Sequence, residues 1–201
     1  MTVPPPDSPR SYDVFFSAGG TRFYFTNPNH GIAISDNGMA WTADGRASAA
    51  AFADIAAIHL QTAALGSAQR VLDQCRIEFD NGAALVVTNG SSSGLPDQVQ
   101  TPIYRAFVCD LHAHLAARAA GAIRFTAGMA QWRYKGLFVT MIVAGLMFIA
   151  APLVLVFVTG DLRGFVVMAM GASLCWPFTK MLMNNAPRHY TPDRLPDELL
   201  S

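Results

Sequence analysis

Gly90-Ser91-Ser92-Ser93-Gly94 spells the GxSxG pattern, in which a central serine, here Ser92, can act as the nucleophile of acyl transfer. That chemistry needs a histidine to take the hydroxyl proton, a carboxylate to orient it, and a strained strand-to-helix turn to present the serine. Leu95-Pro96 follows at once and interrupts any such helix, while Asp110 and His112 fall on a later helix. A flexible Ser/Gly loop over residues 89–98 accounts for the same letters. Cys109, His112 and His114 raise metal binding as a second chemistry. Helical residues two apart point roughly 160° from one another, so His112 and His114 cannot readily share an ion, and Cys109 lies roughly 140° from His114. Asp54, His59 and Glu78 have no spacing that assembles them into a catalytic set. Cys75, Cys109 and Cys175 show no CxxC pair and suit a reducing compartment. Asn89-Gly90-Ser91 is a glycosylation sequon, without consequence in a cytoplasmic domain. No catalytic, cofactor-binding or metal-binding residue is expected, and no enzyme.

The elements that would carry these residues are short strands and one helix. Phe23 and Phe25 alternate with Arg22 and Tyr24. Ile32 and Ile34 lead to Asp36-Asn37-Gly38, after which Met39, Trp41 and Ala43 alternate; Cys75, Ile77 and Phe79 lead to Asp80-Asn81-Gly82, then Ala83, Leu85 and Val87. Alternation of period two predicts half-buried strands, and Asn-Gly between them predicts hairpins whose central residues take positive φ. Residues 46–60 read as a strand, a turn at Asp54 and a strand ending near Leu60; residues 61–72 read as a longer, partly helical excursion. Thr101 can cap a helix that Pro102 begins and Gly121 closes. Ile103, Tyr104, Phe107, Val108, Leu111 and Leu115 fall on an arc of about 140°, an apolar stripe that needs a sheet to cover.

GIAISDNGMAW followed by AFADIAAIHL, within strands that precede one amphipathic helix, resembles the pleckstrin-homology-like superfold and its bacterial and GRAM relatives, over residues 13–120. The resemblance implies a small antiparallel β-structure closed by a C-terminal helix. Inositide-binding members use a basic cluster between their first strands; only Arg22 stands there and no lysine precedes Lys135, so that property is not carried over.

Further along, Gly136 to Gly160 carries no charged side chain. As a helix it is roughly 37 Å long, against a bilayer core of about 30 Å. Its place in the C-terminal third excludes a signal peptide. A second apolar segment starts at Gly164, with Arg163 before it, Pro177 inside it and Lys180 placed to reach the headgroups from near its end. The weaker insertion of this segment is expected to depend on packing through Gly164, Met168, Gly171, Ala172 and Ser173. Arg124, Trp132, Arg133, Tyr134, Lys135, Trp176 and Lys180 are the expected membrane-interface anchors. Cations flank both outer ends, whereas the connecting turn holds only Arg163 beside Asp161, so the positive-inside rule places both termini in the cytoplasm.

Equal numbers of basic and acidic residues, 14 each, with no basic block, argue against nucleic acid as a partner. The expected class is an α+β membrane protein: a disordered leader (1–11), a pleckstrin-like antiparallel domain with one C-terminal amphipathic helix (12–131), a two-helix transmembrane hairpin (132–185, crossing at about 136–159 and 164–183) and a polar cytoplasmic tail (186–201). The expected function is a non-enzymatic interaction or scaffold subunit of an inner-membrane assembly, in contact with the bilayer and with a membrane-protein partner or a second copy. A lipid-sensing module working through Arg124, Arg133 and Lys135 is the contrasting expectation, and a membrane-bound hydrolase through Ser92 the remote one.

Overall fold

The computed structural model describes residues 9–19, 29–64, 71–118, 123–129, 131–160 and 163–195. They form two compact units, one of Met1–Ala127 with Arg188–Ser201 and one of Gly128–Pro187.

The first unit is built on a sheet of strands β1 (Arg10–Ala18), β2 (Asn29–Ser35), β3 (Gly38–Ala43), β4 (Arg46–Ala51), β5 (Ile55–Ala64), β6 (Val71–Phe79), β7 (Ala84–Thr88), β8 (Arg124–Ala127) and β9 (Arg188–His189). Their order is β4-β3-β2-β1-β7-β6-β5-β8-β9. Alternation works as the sequence implies: Ile32, Ile34, Met39, Cys75, Ile77, Leu85 and Val87 all turn inward. Helix α1 (Gln100–Arg118) lays Tyr104, Phe107, Val108, Leu111 and Leu115 into the same core.

The turns differ from the Asn-Gly expectation in detail. Ser35 pairs with Gly38, so the β2–β3 turn is Asp36–Asn37, and neither residue has positive φ. Gly38 serves close approach instead, since a Cβ there would strike the Ala50 backbone. The turn with two positive φ values is Asp44–Gly45, between β3 and β4, at 50° and 75°. That is the mirror-image geometry which matches strand twist. A three-residue 3₁₀ turn, Phe52–Asp54, separates β4 from β5, with the Asp54 carboxylate accepting from the Ala51 amide at 3.1 Å.

Several expectations need correction. The fold class, an antiparallel domain followed by a two-helix transmembrane hairpin, does not hold. The sheet continues beyond the seven early strands: β8 joins β5 in parallel, and β9 pairs with β8. Within the expected polar tail, Arg188 and His189 pair with β8. Among the described residues only one helix, Gln131–Val158, is long and apolar enough to cross a membrane. Helix α4 (Arg163–Asn184), which holds Pro177 and Lys180, is not the helix that qualifies. The leader loses Arg10 and Ser11 to β1, while Gln61–Ala64 extend β5 rather than turning helical. The Phe23–Phe25 alternation, Gly121, and Asp161 with Leu162 lie outside the described residues.

The second unit is helical. Helix α2 (Gln131–Gly145) continues through a π-helical turn, Leu146–Ala150, into α3 (Ala151–Thr159), making one long rod. Pro152 explains the widened turn: it has no N–H for the Phe148 carbonyl, and its ring would clash with that carbonyl in a regular helix. Gly160, at φ 71°, closes α3 with its amide on the Val156 carbonyl at 2.9 Å. Helix α4 packs antiparallel along the rod.

Candidate functional site

The serine loop is a closed turn. Gly90 bridges Pro96, the Ser91 amide reaches the Leu95 carbonyl at 2.8 Å, and the Ser91 and Ser93 hydroxyls meet at 2.8 Å. Ser92 is exposed on it. Its expected acid and base are committed elsewhere. Asp110 accepts from the Tyr12 hydroxyl at 2.8 Å and pairs with Arg10 at 3.0 Å. His112 is buried, with Nδ1 2.7 Å from the Val108 carbonyl and Nε2 2.8 Å from the Tyr190 hydroxyl. His114 lies toward Asp36 and Asp110 at 3.8 and 3.7 Å, and tilts on the Phe52 ring. No group of three metal-ligating side chains occurs among the described residues. Asp54 holds its turn, His59 meets Thr126 at 3.0 Å, and Glu78 pairs with Arg76 at 2.8 Å.

Two structural devices were not foreseen. Asp73 is fully buried at one end of β6, where Thr62 Oγ1 donates to it at 2.9 Å and Asn89 Nδ2 at 3.4 Å. The Asp73 amide in turn donates to Asn89 Oδ1 at 2.9 Å, and Asn89 Nδ2 also reaches Thr101 Oγ1 at 3.4 Å, tying β6 to the start of α1. Burial pushes the Asp73 carboxyl up to about 6, with the Thr62 bond opposing. The second device is the chain's return. Tyr190 follows β9, donates its amide to the Phe125 carbonyl at 3.3 Å, and packs on the Phe125 and His112 rings. Burial lowers His112 to about 4, the Val108 carbonyl opposing, and raises the Tyr190 phenol.

In the helical unit the expected packing residues divide. A Cβ on Gly164 would strike the Val156 side chain and lie 3.1 Å from the Pro152 carbonyl oxygen. At Gly171 it would lie 2.5 Å from Phe148 Cβ and 3.0 Å from the Phe148 oxygen. Both glycines thus rest on rod carbonyls, the second on the one that Pro152 leaves without its usual donor, an arrangement suited to Cα–H···O contacts. Met168 is half-buried; Ala172 and Ser173 face outward, with the Ser173 hydroxyl on the Met170 carbonyl at 2.9 Å. The inward positions of α4 run 164, 168, 171, 175 and 182, a spacing near 3.5 that marks a helix-packing seam.

Of the expected interface anchors, Arg124, Trp132, Arg133, Lys135, Trp176 and Lys180 are exposed. Tyr134 is half-buried and stacks on Phe138 at 6.4 Å. The Arg133 guanidinium stands 5.9 Å from the Trp132 ring centre. The apolar surface is concentrated here: of the exposed large apolar side chains among the described residues, all but Leu95 and Val99 belong to the helical unit. A groove of about 370 Å³ runs between α2 and α4, lined chiefly by Leu137, Met141, Ala144, Phe148, Cys175 and Phe178. Its signal in the sequence is the 137, 141, 144, 148 spacing, which marks one face of a helix.

A scan against protein-family models finds no match, and neither does a search of curated proteins.

Proposed function

We propose that this chain is a non-enzymatic interaction module held at the cytoplasmic face of a bacterial inner membrane by its helical unit. One observation carries the reading: the crossing-competent helix Gln131–Val158 has only 6% of its apolar window buried. A core helix of a soluble protein would be mostly covered, and a signal sequence would stand near the N-terminus. Leu137, Phe138, Ile142, Val143, Leu146, Met147 and Phe157 are all exposed. Even at about 1 kcal/mol for each half-exposed side chain, transfer of the rod from water to lipid is favoured by on the order of 10 kcal/mol.

Asp110, His112 and Asp73, three of the titratable groups of the sheet unit, are engaged in structural contacts, which supports an adaptor. Seven antiparallel strands followed by α1 support the pleckstrin-like resemblance. Exposed Arg133, Lys135 and Lys180 support a cytoplasmic flank. A domain tethered this way meets membrane partners at high effective concentration.

Two measurements on the full chain test the proposal. The chain should stay in the pellet when membranes are washed with alkaline carbonate, and mild-detergent purification should bring down a stoichiometric membrane-protein partner or a second copy. Release by carbonate rejects the anchoring. Retention of a monodisperse monomer, with no partner across several mild detergents, rejects the adaptor role.

A further inference from the structure

The groove between α2 and α4 has features of a ligand site that an apolar surface alone would not give. Its one hydroxyl, Thr140 Oγ1, is turned to the Gly136 carbonyl at 3.0 Å, so the lining offers no free polar group to a peptide or sugar. Hydrocarbon suits it. The stripe that forms its rod wall, Phe148, Ala144, Met141 and Leu137, continues one turn further to Arg133. Arg133 is exposed, forms no ion pair among the described residues, and meets only the Trp132 ring. Arg133 does not line the slot but stands one helical turn before Leu137 on the same helix, so an apolar slot with a guanidinium one turn away complements a molecule with an apolar chain and an anionic head. Guanidinium binds phosphate oxygens through parallel N–H donors, which an ammonium cannot match.

We infer that this groove binds one anionic phospholipid of the surrounding bilayer, an acyl chain lying between α2 and α4 and the phosphate on Arg133. The inference rests on the reading that the helical unit sits in lipid. Specificity for charge then comes from Arg133, while the slot takes chains of either lipid class.

The test uses the full chain, reconstituted in vesicles of equal parts phosphatidylglycerol and phosphatidylcholine and released into mild detergent for native mass spectrometry. Wild type should retain one phosphatidylglycerol in preference to phosphatidylcholine. Arg133→Gln should lower that preference about tenfold, the loss of one charge-assisted contact. Ala144→Phe, which fills the slot, should retain neither lipid while still resisting carbonate. A second readout needs no groove variant: in a Cys109→Ser background, Cys175 should alkylate several-fold more slowly with phosphatidylglycerol than in detergent alone. Equal retention of both lipids by wild type, or unaltered retention by Ala144→Phe, overturns the inference. So does a dimer that Ala144→Phe dissociates, since the groove is then filled by a second copy. Carbonate release of wild type would instead sink the membrane reading itself, and is scored separately.

Discussion

Replacing Asp73 by Asn should expose a pH dependence that the native chain conceals. Asp73 is inaccessible to solvent and titrates near 6 rather than 3.8, because burial disfavours its charge. Between those values the folded state holds the proton more often than the unfolded one, so stability falls as pH rises from about 4 to 6. The change is about 3 kcal/mol at ~1.4 kcal/mol per unit. His112 works in the opposite sense. Its value drops from 6.5 to about 4, so the unfolded state holds the extra proton and stability rises with pH across nearly the same window, again by about 3 kcal/mol. The two slopes nearly cancel. In Asp73→Asn only the histidine slope remains, so stability should climb by about 3 kcal/mol between pH 4 and 6.5. Near pH 7 the variant should exceed wild type by about 2 kcal/mol, the relieved burial less about 1 kcal/mol for an amide facing Asn89 Nδ2. Urea unfolding of the full chain in mild detergent, followed through Trp41 with Trp132 and Trp176 replaced by Phe, measures this. Trp41 stacks on Phe79 at 5.7 Å and reports on the sheet unit. A steep wild-type profile between pH 4 and 6.5, or a variant less stable than wild type at pH 7, would refute the reasoning.

Two further outcomes are expected. Gly171→Leu must displace Phe148, whose Cβ and carbonyl oxygen lie 2.5 and 3.0 Å from the first added carbon; the helical unit should loosen by a few kcal/mol, read as earlier melting by circular dichroism in detergent, with Ala172→Leu on the outward face as the neutral comparison. Tyr190→Phe removes the donor and acceptor for His112 Nε2, so about 1–3 kcal/mol of stability should be lost, and amide exchange should quicken first in the segment holding β9.

What the sequence disclosed follows its periodicities. Ile32, Ile34, Cys75 and Ile77 alternate, and Tyr104, Phe107, Leu111 and Leu115 share a stripe, so the strands and α1 were legible. The Asp44–Gly45 hairpin was not read, although its two positive φ values make it the mirror-image turn between β3 and β4. Asp73 was not legible, because a lone carboxylate on a strand reads as a solvated face until its partners Thr62 and Asn89, both distant in sequence, are in place. Helix α4 was legible as an apolar segment holding Pro177 and Lys180. The groove at Ala144 and Cys175 needed both helices to be placed before either wall had meaning.

Strands β8 and β9 were invisible for a different reason, and they bear most on where the protein sits. Four residues and two residues are too few to show alternation, and their pairing joins Thr126 to His189 and Ala127 to Arg188 across the whole helical unit. Nothing local could signal it, since the stabilisation arises only once the chain has come back. The return fixes a condition on the helical unit. The chain leaves the sheet after Ala127 and rejoins it at Arg188, and a hydrogen-bonded pair cannot straddle a bilayer. On the proposed membrane reading the chain must therefore enter and leave lipid on one side, because β8 and β9 remain paired and the Tyr190–His112 contact follows β9.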